Sequence, residues 1–391
     1  MTFYRHANEK IGTLDNIYNG DMFPDMAINT FRNIDRLFPT RTIPASSQPK
    51  PLKKSDLRLQ PFKSNIKDTT VELEGTEQYY DFYDYVALNY LTGIVILKDG
   101  KLVYENYFHG NGPDTRWMSM SIAKSITSTL VGVAIKDGYI DSLDDPVVKY
   151  VPKLKGSGYE GTSIRDILGM NSGVKWDETY TDPNSDRREF LRAQMSLKPG
   201  ALLDVLAKLP RVADPGTVHN YSTGETTIAS EIVIGATNKK LADYLHEKIW
   251  EPYGMENDAN WWLDSPDGNE IGGSGFSATL RDYARFGQFF LDRGKIDDEY
   301  ILPEDWFEEA SQPTELKNGK VVDYGFMWWP ATTKKSKQNK AFQAIGIHGQ
   351  VIHIDPKENV VIAITSARTK PLGTRPIHDA LFLEDLIENI K

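Results

Sequence analysis

The segment from which the architecture can be worked out is Arg116-Trp-Met-Ser-Met-Ser121-Ile-Ala-Lys124-Ser-Ile-Thr-Ser-Thr-Leu-Val-Gly-Val-Ala-Ile135. It predicts a loop that turns into an apolar helix, with Ser121 on the first turn and Lys124 one turn further on. Residues three apart on a helix share a face, so the hydroxyl and the amine can meet there. This spacing is typical of a Ser-x-x-Lys nucleophile, in which a lysine amine helps to take the serine proton.

The same spacing recurs at Ser47–Lys50 and Ser64–Lys67, in polar sequence flanked by proline, where no helix would fix the geometry. Only Ser121 opens an apolar run. Short motifs match often by chance, so the alternative for this segment taken alone is an ordinary buried helix with a surface lysine.

Composition narrows the classes of function. A chain of 391 residues is long enough for one large domain or two ordinary ones. The net charge of -10 argues against a nucleic-acid or anionic-membrane partner, because both require basic patches. The chain has no cysteine, which excludes a disulfide framework, a thiol nucleophile and a cysteine-ligated metal.

The first ten residues lack an apolar core of signal-peptide length, and no stretch approaches eighteen consecutive apolar residues. We therefore expect no membrane span and a cytoplasmic location, with a processed secreted protein as the alternative. Nothing in the sequence indicates an oligomeric state.

Strand-like runs lie near both ends of the chain, with helical patterns between them. This order predicts an α+β fold, in which one antiparallel sheet is built from both chain ends, is flanked by helices, and carries a mainly helical inserted region. The expected division is an N-terminal extended arm (1–70), an α/β domain (71–170 with 271–391) and the mainly helical region (171–270). The predicted strands are 92–98, 101–108, 324–329, 342–347, 351–355 and 360–365.

Two further places have the residue types that a serine nucleophile needs. Tyr221 follows an Asp-Pro-Gly loop just before a predicted helix, so its phenol can point into a cleft and relay a proton; the alternative is a packing tyrosine. Gly346 lies on a predicted strand, where glycine often marks a close approach of backbone. That approach would free the main-chain N–H of Ile347 for an oxyanion; the alternative is a β-bulge. His348 and His353, five apart, would face opposite sides of the sheet and are not expected to share a metal.

Taken in order, these segments resemble the serine β-lactamase-like superfamily, in the branch that contains class C enzymes, esterases and 6-aminohexanoate-dimer hydrolases. The resemblance covers roughly residues 80–391. Besides the nucleophile segment, it is carried by Leu168-Gly-Met-Asn-Ser-Gly173, by the segment Gly272 to Gly287, and by Gly346-Ile-His-Gly-Gln-Val-Ile-His-Ile-Asp-Pro356.

The resemblance implies a serine hydrolase of the β-lactamase and penicillin-binding-protein fold that acts without metal or cofactor on a small-molecule amide or ester. Ser121 is then the acylated nucleophile, Lys124 its base and Tyr221 a second acid/base group, and the N–H groups of Ser121 and Ile347 form the oxyanion hole. The candidate substrate contacts are Asp182, Gly346 and His348.

Two departures from the family pattern bear on the substrate. The second motif, commonly Tyr-x-Asn, is Tyr221-Ser-Thr223 here, and the third, commonly Lys-Thr-Gly, aligns with Ala344-Ile-Gly346. Losing that lysine removes a cation that would meet a substrate carboxylate. The preferred interpretation is therefore an amidase or esterase for small linear substrates. The alternatives are a carboxylesterase or weak β-lactamase, and a non-catalytic binding domain of the penicillin-recognising type.

Overall fold

The apolar runs near the two ends of the chain pair with one another in the structure. This structure is a computed structural model and describes residues 4–67, 79–373 and 377–391. In chain order the strands are β1 Thr40–Ile43, β2 Lys63–Lys67, β3 Tyr79–Asp81, β4 Leu91–Lys98, β5 Lys101–Tyr107, β6 Arg116–Met118, β7 Ala259–Trp262, β8 Phe276–Thr279, β9 Lys295–Ile296, β10 Glu299–Tyr300, β11 Thr314–Glu315, β12 Val321–Val322, β13 Trp329–Pro330, β14 Phe342–Gly346, β15 Gln350–Asp355 and β16 Val360–Ser366.

Nine of the fourteen α-helices in the described residues lie between β6 and β13. Many begin at a side chain that accepts a hydrogen bond from the first turn, as Ser163, Ser185, Ser222 and Thr279 do. In chain order the helices are α1 Leu14–Asn19, α2 Pro24–Phe31, α3 Phe82–Leu88, α4 Ile122–Lys136, α5 Ile164–Leu168, α6 Asp186–Met195, α7 Ala201–Leu206, α8 Thr223–Thr237, α9 Leu241–Leu245, α10 Glu251–Tyr253, α11 Leu280–Leu291, α12 Trp306–Ser311, α13 Lys334–Asn339 and α14 Asp379–Glu388, with a π-helical turn His246–Trp250 between α9 and α10 and 3₁₀ turns Ile34–Arg36, Val147–Lys149, Pro152–Leu154 and Ile347–Gly349.

The main sheet has six antiparallel strands in the order β13-β14-β15-β16-β4-β5. Its centre is the pairing of β16 with β4, in which Ile364 lies opposite Ile94, so the two ends of the chain meet in the middle of the sheet. Successive side chains of β4 point to opposite faces, with Val95 in one buried cluster and Ile96 in the other. The predicted α+β class is confirmed.

Helices cover both faces of this sheet. On one face α11 lies so close that a Cβ at Gly287 would be 2.6 Å from Cγ1 of Val361. On the other face α14 packs Phe382, Leu383 and Leu386 against the strands. Both faces of the sheet are therefore buried, which explains why the sequences of its central strands are continuously apolar rather than alternating.

A second sheet, in the order β1-β7-β8-β6, leads into the segment around Ser121. Its edge strand β1 comes from the N-terminal arm and pairs with β7, with Ile43 opposite Ala259. Part of the arm is helical, in α1 and α2, where the sequence predicts an extended segment. Thr13 and Asn16 form a reciprocal capping box at the start of α1, and Pro24 opens α2.

The strand predicted over 324–329 is wrong, since only Trp329 and Pro330 form one (β13). Met327 has a φ of +62°, which ends an extended run. The carbonyls of Phe326 and Met327 accept hydrogen bonds from Ser128 and Ser125 of α4, at 2.8 and 2.7 Å, instead of from a neighbouring strand. The predicted boundary at 70/71 lies outside the described residues.

Candidate active site

Ser121 lies where strand β6 turns into helix α4. Pairing of β6 with β8 holds the approach, and the next N–H, from Ser119, donates to the carbonyl of Phe276 at 2.8 Å. Met120 then has a φ of +48°, a left-handed conformation that non-glycine residues rarely adopt and that is common beside reactive groups. This sharp turn presents Ser121 to a cavity at the start of the helix.

Lys124 is the buried partner of Ser121. Its Nζ lies 2.9 Å from Oγ of Ser121 and 2.8 Å from the carbonyl oxygen of Gly273, and the residue is 1% exposed. Burial lowers the pKa of the Lys124 ammonium to about 7. The neutral amine is therefore well populated near neutral pH, and it can take the proton of Ser121.

The Gly272–Gly273 turn supplies the main-chain acceptor for Lys124. The hydroxyl of Thr127, one turn further along α4, donates to the carbonyl of Gly272 at 2.9 Å and ties the turn to the helix. A Cβ at Gly273 would lie 2.9 Å from Cγ2 of Thr223, so a side chain would force the turn away from α8. The sequence shows this segment as part of a family pattern but does not reveal its contact with Lys124.

Tyr221 faces the same cavity from the segment before α8. Its ring centroid is 5.3 Å from Nζ of Lys124 and packs against the rings of Trp329 and Tyr324, at 5.4 and 6.0 Å. Burial raises the pKa of the Tyr221 phenol, and the nearby Glu178 carboxylate raises it further. The phenol therefore keeps its proton near neutral pH and acts as a donor.

Gly346 brings strand β14 against the turn that carries Ser121. A Cβ at this position would lie 2.5 Å from the carbonyl oxygen of Ser119, so only glycine allows this approach. Ile347 follows directly and lines the same cavity as Ser121 and Tyr221. This placement suits the N–H of Ile347 to the oxyanion role predicted for it.

His348 and Asp182, predicted as substrate contacts, are not among the residues that line the cavity. His348 is 1% exposed, its Nδ1 lies 2.6 Å from the carbonyl oxygen of Arg368, and burial lowers its pKa to about 4. The carboxylate of Asp182 accepts from the N–H of Asn184 at 2.8 Å, within its own turn. A substrate contact for these two side chains stays a prediction.

The cavity has a volume of about 690 Å³ and mainly apolar walls. Its charged lining residues are Glu178, Arg368, Asp379 and Lys370. Arg368 pairs with Asp379 at 2.5 Å, whereas Lys370 has no ion-pair partner among the described residues. The apolar lining residues are Trp329, Ile345, Ile347, Val351, Pro371 and Leu372.

Glu178 is a cavity residue that the sequence did not single out. It lies between Asp177 and Thr179 in a loop ahead of α6, where an acidic side chain usually faces solvent. In the structure its carboxylate accepts from the N–H and the hydroxyl of Thr223, at 2.9 and 2.5 Å. The departure of the second motif at Thr223 was the one signal in the sequence, and it did not point to a partner.

In the three described ranges, no group of three or more histidine and acidic side chains is placed to hold a metal ion. Within the same ranges, no helix has both the length and the apolar character needed to cross a membrane.

Comparison with known proteins gives concordant matches. The family model described as Beta-lactamase matches residues 92–385. The 6-aminohexanoate-dimer hydrolase of Paenarthrobacter ureafaciens is 30% identical over 304 residues, which cover 73% of this chain and 74% of that protein. A solved structure of a candidate 6-aminohexanoate-dimer hydrolase from Bacillus anthracis has a TM-score of 0.79 at 23% identity, over 96% of this chain and 97% of that one. A solved family VIII carboxylesterase has a TM-score of 0.59 at 17% identity, over 78% and 95% of the two chains.

Proposed function

We propose that this chain, which belongs to the beta-lactamase family, cleaves small linear amides or esters through an acyl-enzyme on Ser121. It is a serine hydrolase related to 6-aminohexanoate-dimer hydrolase. The observation that carries the proposal is the 2.9 Å contact between Nζ of Lys124 and Oγ of Ser121 at the base of the cavity. A buried amine beside a serine hydroxyl is the pairing that activates such a nucleophile.

In the first half of the reaction, Nζ of Lys124 takes the proton of Ser121 as Oγ forms a bond to the substrate carbonyl carbon. The carbonyl oxygen becomes an oxyanion, which the N–H groups of Ser121 and Ile347 stabilise; one such donor typically contributes about 2.7–4 kcal/mol. Tyr221 gives its proton to the departing amine or alkoxide and is reprotonated from Lys124. The bond to the leaving group breaks, and Ser121 carries the acyl group.

In the second half, a water molecule replaces the leaving group. Lys124 and Tyr221 take one proton from the water as its oxygen attacks the ester carbon, and the same oxyanion site holds the second tetrahedral intermediate. That intermediate collapses, Oγ of Ser121 regains a proton, and the carboxylic acid product leaves. The two half-reactions consume one water and leave the enzyme in its starting protonation state.

The walls of the cavity favour a linear, partly apolar substrate. Ala344, which aligns with the lysine of the usual third motif, is fully buried, so this position offers no cation to a bicyclic substrate carboxylate. The hydroxyl of Thr223, in place of the usual asparagine amide, is already bonded to Glu178. Both features support a small linear amide or ester over a β-lactam.

A fluorophosphonate probe and three substrates test the proposal. We expect one covalent adduct on Ser121, with no adduct and at least a thousandfold lower kcat/KM in Ser121→Ala. The 6-aminohexanoate dimer and short p-nitrophenyl esters should be hydrolysed faster than nitrocefin. Equal turnover by Ser121→Ala, or an adduct mapped to another residue, would reject the proposed nucleophile. Preferred turnover of nitrocefin would reject the substrate class.

A further inference from the structure

Glu178, which lines the cavity together with Ser121 and Tyr221, is paired with the buried side chain of Arg187. Nε of Arg187 is 3.8 Å from Oε1 of Glu178, with side-chain exposures of 3% and 15%. At this distance the two charges attract each other without a direct hydrogen bond. Charges are costly to bury, and a buried ion pair without a direct hydrogen bond recovers little of that cost. Stabilisation of the fold therefore does not explain why this pair is present.

Glu178 is fixed by three hydrogen bonds, two of which reach the helix that follows Tyr221. Its carboxylate accepts from the N–H of Thr223 at 2.9 Å, from the hydroxyl of Thr223 at 2.5 Å and from Nε1 of Trp176 at 2.5 Å. Thr223 is the first residue of α8 and is two residues from Tyr221. The carboxylate therefore holds the main chain that carries the Tyr221 phenol.

Arg187 is fixed from the other side by the N-terminal arm. Its Nη2 donates to the hydroxyl of Tyr18, and its guanidinium lies 4.5 Å from the centroid of that ring. Nε and Nη1 of Arg187 have no hydrogen-bond partner in the described part of the chain. Nε of Arg187 therefore faces Glu178 at 3.8 Å without a hydrogen bond.

We propose that Glu178 and Arg187 are positioning residues that act through Lys124, with Glu178 favouring its ammonium form, Arg187 favouring its neutral form, and the balance setting the pH at which Lys124 can serve as a base. This inference rests on the proposed function, because it assumes that Lys124 activates Ser121. It also gives a role in catalysis to a carboxylate that touches no reacting atom.

The groups around Lys124 support this balance. Its Nζ lies 2.9 Å from Oγ of Ser121 and 5.3 Å from the ring centroid of Tyr221. Glu178 lines the same cavity as Ser121 and Tyr221, and Arg187 lies 3.8 Å from Glu178. Burial is the largest cause of the lowered pKa of Lys124; Glu178 raises that pKa and Arg187 lowers it further. Because Lys124 and Arg187 are buried, their charges interact more strongly than they would at the surface.

The test is the acidic limb of kcat/KM against pH, measured with a p-nitrophenyl ester on the full chain. This limb reports the pKa of the essential base in the free enzyme. Glu178→Gln removes the negative charge, so the limb should move to lower pH by on the order of one unit. Arg187→Gln removes the positive charge, so the limb should move to higher pH. Arg187→Lys keeps the charge and should leave the limb close to that of the wild type.

Tyr18→Phe is the matched control, since it removes the hydrogen bond to Arg187 without changing any charge. Its limb should stay in place. A limb that stays in place in Glu178→Gln, or that moves in the same direction in both charge-removing variants, would overturn the inference. The Glu178 result and the Arg187→Lys result decide the question even if Arg187→Gln does not fold.

The outcomes also separate this inference from the proposed function. If Ser121→Ala is inactive and the limb does not respond to Glu178, the proposed function stands and the inference fails. If Ser121→Ala hydrolyses the ester as fast as the wild type, the proposed function fails first. A purely structural role for Glu178 would lower kcat/KM at every pH and leave the limb unmoved.

Discussion

Two parts of the cavity differ in the environment they give to a lysine. The base is formed by Ser121, with Lys124 buried behind it, and the rim is formed by the loop that carries Lys370 and Pro371. At the base, burial lowers the pKa of Lys124 to about 7. Burial likewise raises the pKa of Glu225, a residue of α8 that does not line the cavity, to about 8. At the rim, Lys370 is exposed and has no ion-pair partner in the described part of the chain. The difference teaches that burial supplies a neutral amine for chemistry, whereas exposure keeps a cation available for recognition.

The two regions also differ in how they are built. Ser121 and Lys124 are three residues apart on one helix, so local geometry brings them together. The rim combines loops far apart in sequence: the loop after β16 carries Lys370 and Pro371 and packs against Gly20 of the N-terminal arm, where a Cβ would lie 2.8 Å from Cδ of Pro371. Changes at the base should therefore affect kcat, and changes at the rim should affect KM.

Gly346→Val tests the base most severely. A side chain at this position would clash with the carbonyl of Ser119, 2.5 Å from the new Cβ, and would push Ile347 away from the nucleophile. Because the oxyanion donor proposed for Ile347 would be lost, we expect kcat to fall by about a hundredfold or more. The measurement is steady-state hydrolysis of a p-nitrophenyl ester.

Gly100→Val serves as a control for the cost of removing a glycine, because its Cβ would meet only Gln288, at 3.9 Å. It should lower stability, since Gly100 has a φ of +69°, while leaving kcat intact. A Gly346→Val enzyme with normal kcat would contradict the position assigned to Ile347.

The sequence could predict the residues that local geometry brings together, but not those that distant segments bring together. The apolar helix after Ser121, the central strands and the set Ser121, Lys124 and Tyr221 were all predicted, because each depends on local periodicity or on an ordered family pattern. Glu178 and Lys370 were not, because what defines them is a contact or a cavity wall supplied by segments distant along the chain.

The strand predicted over 324–329 was wrong for a similar reason. The aromatic run from Tyr324 to Trp328 has strand-like composition, yet it is buried as an irregular segment. Its main-chain carbonyls are satisfied by Ser125 and Ser128 of α4. Composition cannot show that a helix will supply these donors, so tertiary contacts overrode β-propensity.

Glu225→Gln tests whether burial also governs a group that the reaction does not use. Burial raises the pKa of Glu225 from 4.5 to about 8, and its hydroxyl partner is Ser172. The folded state keeps a proton on Glu225 that the unfolded state releases. The contribution of this proton to the free energy of unfolding is therefore complete below about pH 4.5 and is lost as the pH rises toward 8.

Glutamine does not titrate, so the unfolding free energy of wild type minus that of Glu225→Gln should fall between pH 5 and pH 9, by on the order of a few kcal/mol. Urea denaturation at both pH values measures this difference. Glu299→Gln, at an exposed glutamate, is the matched control. A difference that is constant or rises with pH would contradict a proton held by Glu225.

Lys370→Gln gives the smallest effect and tests the rim. An exposed charge pair contributes about 0.2–1 kcal/mol, so KM for 6-aminohexanoate dimer, which ends in a carboxylate, should rise by about 1.4- to fivefold. KM for the C-terminal carboxamide of the dimer should not change. For each substrate, kcat should be the same in the wild type and in Lys370→Gln, because Lys370 does not take part in the proposed bond-making steps.

Lys101→Gln, which changes an exposed lysine that does not line the cavity, is the matched control. Equal KM values for the two substrates in wild type and variant would show that recognition at the rim depends on the apolar wall alone, and a fall in kcat would show that base and rim are not separable.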